Sequence, residues 1–255
     1  MCCLNETDTI IKFIGTSPAK FKRSTVVVGV PDVGLVASIA TSHLIDSVGL
    51  KEVGFFESDY LPPVMLVHEG EPKPPVRMWG KDSLIVVASE VPLSPEATYP
   101  LVKFIVSWTK TNGANMIIGL SGLPVPNRLE IENPAVYGLG TSSEAKELLK
   151  RGDVPPFQEG MIAGTHALLL KESIKQNVPN IILLAESHYQ FPDPGASASV
   201  VKVLNRLLGL NIDVQSLLQR AEEIRIKTRE LMRKTQQQMK TAERAQPQDV
   251  PGIYV

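Results

Sequence analysis

Runs of β-branched and aliphatic residues recur along this chain, with stretches of helical spacing between them. Thr25-Val26-Val27-Val28-Gly29-Val30 is apolar without alternation, the pattern of a strand buried on both faces. After Pro31-Asp32, the segment Val33 to Val48 places Leu35, Ile39, Leu44 and Val48 at helical intervals. Lys51 to Phe56, Leu84 to Ala88, Met116 to Leu120 and Asn180 to Ala185 predict further strands. Val64 to Val67 and Val76 to Trp79 flank the break Glu71-Pro72-Lys73-Pro74-Pro75 and are expected to pair as a hairpin. Pro95 to Thr111 predicts a helix with Ser94 as N-cap, Pro95 in the first position and Asn112-Gly113 as the stop. Ser142 to Lys150, Met161 to Lys175 and Ala196 to Leu208, stopped by Gly209, predict three more. Pro124 to Gly140, rich in proline and glycine, reads as a long loop with a little structure.

Strands and helices alternate, and the strands are continuous Val, Ile and Leu runs. That pattern predicts an α/β fold, a sandwich around a mostly parallel or mixed central sheet, spanning residues 1–212. From Asp213 the character changes. Leu217, Ala221, Ile224, Thr228, Leu231, Thr235, Gln238 and Ala242 follow a 4-3 spacing among Arg, Glu, Lys and Gln, a heptad seam that loses apolar character along its length. The expectation is a long C-terminal helical arm over residues 213–246, on the order of 50 Å at 1.5 Å per residue. Its second half, Met232 to Gln246, has little to bury and is expected to project or to meet another chain. Leu217, Ala221, Ile224 and Leu231 are the candidate self-association residues, and a homo-oligomer is expected.

Composition narrows the function classes. The 26 basic and 27 acidic side chains nearly cancel, so nothing global favours nucleic acid or a membrane surface as partner. The excess of basic residues after Leu217 is broken by glutamates and carries no interleaved aromatics, which reads as a solvated helix face. No signal peptide or membrane-length apolar run is visible. The two cysteines, Cys2 and Cys3, are adjacent and offer no disulfide framework, in keeping with a cytoplasmic location.

No catalytic constellation assembles from sequence. Gly29-Val30-Pro31-Asp32-Val33-Gly34 sits at a strand-to-helix turn, but Leu35 and Val36 follow where a P-loop needs Lys and Ser/Thr; Asp32 reads as a helix cap. Gly119-Leu120-Ser121-Gly122-Leu123 lacks the last glycine of a nucleophile elbow and runs into Pro124, so Ser121 reads as a loop residue. His43, His68, His166 and His188 have no neighbours at metal-ligand spacing. Glu186-Ser187-His188-Tyr189, at the end of a buried strand, is the best place for a small-molecule site, and Asp193 can cap the helix beyond it. No cofactor, metal or catalytic residue is assigned.

The last segment, residues 247–255, reads as linker and hook. Pro247 ends the arm, Gln246 to Gly252 spans a little over ~20 Å when extended, and Ile253-Tyr254-Val255 follows. An apolar residue, a phenol and a terminal carboxylate suit a pocket with a cation and backbone donors. The same three residues suit equally a site on their own domain or on a sister subunit.

Ile253, Tyr254 and Val255 resemble the hydrophobic-tyrosine-any-residue motif with which proteasome activators and assembly factors dock between α subunits of the 20S core particle. Three stretches of the body resemble the PAC2 family, the proteasome assembly chaperones and their archaeal homologues. They are Val28 through Val36, Asn115 through Gly122, and Glu186 through Ala196 with Pro192-Asp193-Pro194. The resemblance covers about residues 10 to 215. It implies a three-layer sandwich like that of nucleoside phosphorylases, no enzymatic activity, and a homo-oligomer. It also implies 20S α subunits as partners, with a related PAC2-family protein as a further candidate. The Tyr254 ring would pack in the inter-subunit pocket and the terminal carboxylate would meet a lysine. The alternatives are an oligomeric scaffold whose tail packs internally or binds elsewhere, and, by analogy of fold alone, a nucleoside- or phosphate-directed enzyme.

Overall fold

The structure, a computed structural model, describes residues 11–15, 23–219 and 221–244. Its centre is an eight-stranded sheet in the order β1-β3-β6-β7-β2-β8-β10-β9. The strands are β1 (Lys12–Gly15), β2 (Thr25–Gly29), β3 (Lys51–Glu57), β6 (Val76–Lys81), β7 (Leu84–Ser89), β8 (Met116–Pro124), β9 (Val136–Gly140) and β10 (Asn180–Ser187). The middle strands β7, β2, β8 and β10 are mutually parallel, while β1, β3 and β6 on one flank and β9 on the other pair antiparallel with their neighbours. The parallel strands are the unalternating Val/Ile/Leu runs, as burial on both faces requires.

Helices cover both faces. α1 (Val36–Val48), α3 (Ser143–Arg151) and α5 (Pro194–Leu208) close one hydrophobic cluster around Val27, Ile118 and Leu183. α2 (Pro95–Thr111) and α4 (Gly164–Gln176) close the other around Val26, Ile117 and Ile182. Alternate residues of one strand thus serve opposite cores. The two expected caps form, Ser94 accepting from the amide of Ala97 and Asp193 from that of Ala196; Ser142, expected inside its helix, caps it instead and accepts from Ala145.

Three expectations need correction. Val64–Val67 does not pair with Val76–Trp79. Instead β4 (Leu66–His68) pairs with β5 (Glu71–Lys73) as a separate two-stranded sheet, and β6 enters the main sheet. Glu69 and Gly70, at φ 52° and 84°, make the two-residue turn that right-twisted hairpins favour, so the chain reverses there and not at the prolines. The supposed loop 124–140 holds edge strand β9. Its glycines weaken strand propensity but let α3 close in, since a Cβ on Gly138 would lie 2.5 Å from Leu149 and one on Gly140 3.0 Å from Ala145.

The arm is the third. It consists of α6 (Gln215–Gln219) and α7 (Ala221–Arg244), and α7 lies along the body instead of projecting from it. Met232 and Thr235 keep 2% and 1% of their surface, and Met239 packs on the same cluster as α1 and α5. Burial is possible in so polar a helix because Thr228 and Thr235 donate their hydroxyls to the carbonyls of Ile224 and Leu231 one turn back. The buried stripe passes through Met239 while Gln238 stays exposed, the drift of a 3.6-residue helix away from a strict heptad.

Candidate functional site

The helices leaving β2 and β7 go to opposite faces, and in open α/β sheets ligands bind at the carboxyl ends near such a reversal. Three side chains far apart in sequence meet there. Ser121, on β8 and not in a loop, donates its hydroxyl to Asp32 Oδ2 at 2.5 Å. His166, near the start of α4, places Nδ1 3.9 Å from the same oxygen, too far for a hydrogen bond. Asp32 forms no side-chain cap on the helical turn that follows it, contrary to the sequence expectation.

Burial sets the charge state of this cluster. Loss of water pushes the Asp32 carboxyl up to about 8, against the opposing pull of the Ser121 hydroxyl and the Gly122 and Ala37 amides. Loss of water also pushes His166 down to about 4, with the Leu120 carbonyl opposing. At neutral pH the pair is therefore a carboxylic acid beside a neutral imidazole and not an ion pair. Asp32 Oδ1 and His166 Nε2 are buried without hydrogen-bond partners. A protonated carboxyl is not poised to take a proton from Ser121.

Backbone fills much of the adjoining edge. Gly34, at φ 61°, presses against β10 so closely that a Cβ would lie 1.9 Å from Ser187 Oγ. A Cβ on Gly122 would lie 2.4 Å from the Val33 carbonyl, and the Asp193 amide donates to Gly34 O at 2.8 Å. The glycines of the failed P-loop motif thus seat a turn over the strand ends. Beside this plug, Arg128 reaches across from the loop after β8. Its Nε and Nη2 donate to the two Asp193 oxygens at 2.7 and 2.9 Å, and its Nη1 to Ile131 O at 2.5 Å. Sequence reasoning missed Arg128, whose partner lies 65 residues away. His188, singled out in sequence, gives its amide to Asp193 and sets its ring edge-on to Phe191. Desolvation holds its pKa down, with Asp193 opposing.

A groove of about 660 Å³ runs between α1, α7 and the strands β6 and β7. Arg77 lies in it, paired with Glu52 and Glu90 and 4.7 Å over the Trp79 ring, while His68 sits 2.9 Å from Glu90. Arg77 is thus held between two carboxylates, and Asp46 and Lys227 line the same groove. Among the described residues, no group of His, Cys, Asp or Glu is arranged to hold a metal, and no helix is long and apolar enough to cross a membrane.

Of the residues singled out in sequence, Ile253, Tyr254 and Val255 lie outside the described residues. Leu217 is buried, and Ala221, Ile224 and Leu231 are half-buried on the side of α7 that faces the body. The outer face of α7 carries pairs within the helix, Glu222–Arg225, Glu223–Lys227 and Glu230–Arg233.

The sequence model of the PAC2 family matches residues 26–232. The chain belongs to the PAC2 family. The match runs through the plugged strand ends, the Arg128–Asp193 pair and α7 as far as Met232. The crystal structure of Pyrococcus furiosus PbaA, an archaeal homolog of proteasome-assembly chaperone, superposes with a TM-score of 0.83 at 31% identity, covering 89% of this chain and 98% of that one. Pyrococcus furiosus PbaB, an archaeal proteasome activator, shares the fold at a TM-score of 0.71 and 22% identity, over 86% of this chain and 98% of that one. The uncharacterized protein MJ0106 of Methanocaldococcus jannaschii is 31% identical over 221 residues, 87% of this chain and 90% of that protein.

Proposed function

We propose that this PAC2-family protein is a non-enzymatic, proteasome-directed chaperone or activator-like protein. It docks Ile253-Tyr254-Val255 into pockets between α subunits of the 20S particle. The observation that carries the reading is the similarity to PbaA over nearly the whole of both chains, in a chain that also has a hydrophobic-Tyr-X tail. The neutral Asp32 and the Val33–Gly34 plug support a body that presents surfaces and performs no reaction. Self-association and a cytoplasmic setting belong to the same proposal.

The test is co-purification of the intact protein with 20S particles or isolated α rings, beside a version lacking Ile253 to Val255. Binding that disappears with the triplet, at unchanged oligomer mass, supports docking. A second reading is an oligomeric scaffold whose tail stays within the assembly. It draws on α7, which packs on the body as far as Met239. Loss of the oligomer on removal of the triplet would select it. Thermal stabilisation by nucleosides or phosphate would instead revive an enzyme.

A further inference from the structure

The loops after β8 and β10 are clamped to each other by Arg128 and Asp193, which keep 8% and 1% of their surface. Directly on this clamp stand two apolar side chains that the body leaves in water: Leu129, 90% exposed, and Phe191, 62% exposed. The Phe191 ring is further held edge-on by His188, with centroids 6.2 Å apart. A single exposed apolar residue needs no explanation. Two of them on neighbouring loops, whose backbones a buried bidentate ion pair ties together, offer a contact in which the loop backbones lose little freedom on binding. Exposed Glu130 and Glu132 flank Leu129.

Helix α7 runs past the same edge. Gln236 donates to the carbonyl of Gln190 at 2.8 Å, so α7 passes the Phe191 loop on its way out. Nine residue steps then separate Arg244 from Ile253, a reach of about 30 Å at full extension. That reach lets a partner holding the triplet also touch the edge that carries Leu129 and Phe191.

We infer that this carboxyl edge, centred on Leu129 and Phe191, is a second docking surface for the partner that takes the tail. The matching patch is apolar with a basic rim, on the α-ring surface beside the pocket. The inference rests on the proposed docking to the 20S particle and adds a body contact to it.

Equilibrium binding to 20S particles tests it with the full chain, Leu129→Asp, Phe191→Asp and Ile174→Asp. Ile174 is as exposed as Phe191 at 62% but lies near the end of α4, beside the contact of Gln176 with Lys110, at the opposite edge. Leu129→Asp and Phe191→Asp should each weaken binding by about tenfold or more, the size of a contact at the centre of an interface. Ile174→Asp should bind as the parent does, and all three should keep the parent's mass in light scattering. Parental affinity of both edge variants, with binding still lost on removal of Ile253 to Val255, overturns this inference and leaves tail docking intact. Equal weakening by Ile174→Asp, or a changed oligomer mass in the edge variants, overturns it as well. No binding by the intact protein overturns both.

Discussion

Asp32 is held as an acid because its carboxyl is withdrawn from water beside a side chain that brings no compensating charge. The consequence for stability follows from linkage. With a folded pKa of about 8 against 3.8, the native state binds the extra proton between those values, so stability falls as pH rises through that window. His166, lowered from 6.5 to about 4, acts with the opposite sign between those two values. The decline should therefore emerge above about pH 6.5. Asp32→Asn keeps an acceptor for Ser121 and removes the titration. Urea denaturation at pH 6.5 and 8.5 should show the variant gaining on the parent as pH rises, and parallel behaviour would mean that Asp32 ionises normally. Arg128 offers a second check. Arg128→Ala leaves Asp193 buried without its cation and should cost about 3–5 kcal/mol, with Arg128→Lys failing to restore the two-pronged bond.

The decisive element is α7. Read alone it is a polar helix with a fading seam; in place, it closes the face formed by α1 and α5. Met232→Ala should lower unfolding free energy by about 2–5 kcal/mol, as for a methionine truncated in a packed core. A projecting arm would leave the same substitution near neutral, so a denaturation curve separates the two arrangements. Hydrogen exchange should likewise find the amides around Met232 and Thr235 protected together with those of α5.

For the whole molecule, the proposal places several tails on one assembly, each beside an edge that can touch the partner. Linked contacts raise apparent affinity through effective concentration. A free peptide of residues 245–255 should therefore displace the intact protein from 20S particles only at concentrations about 10²–10⁴ above the protein's own. Equal potency of peptide and protein would show that neither the body nor the number of tails contributes.

The sequence by itself determined most of the central strands and helices, and the family. Valine and isoleucine runs marked strands with two buried faces, and Ser94-Pro95, Ser142 and Asp193 marked helix starts, because caps and periodicity act within a few residues. The stretches around Gly29–Gly34, Gly119–Gly122 and Pro192–Pro194 pointed to the PAC2 family for the same reason: their chemistry is contiguous. Only the tertiary structure decided what depends on meetings across the chain. Ser121 finds Asp32 from 89 residues away, and Arg128 finds Asp193 from 65. β9 becomes a strand because its glycines admit α3, and α7 lies down because threonine hydroxyls satisfied within the helix can enter a core. Burial is a property of the assembled layers, so the acid at Asp32, the plug at Gly34 and the side of α7 that packs appear only once those layers close.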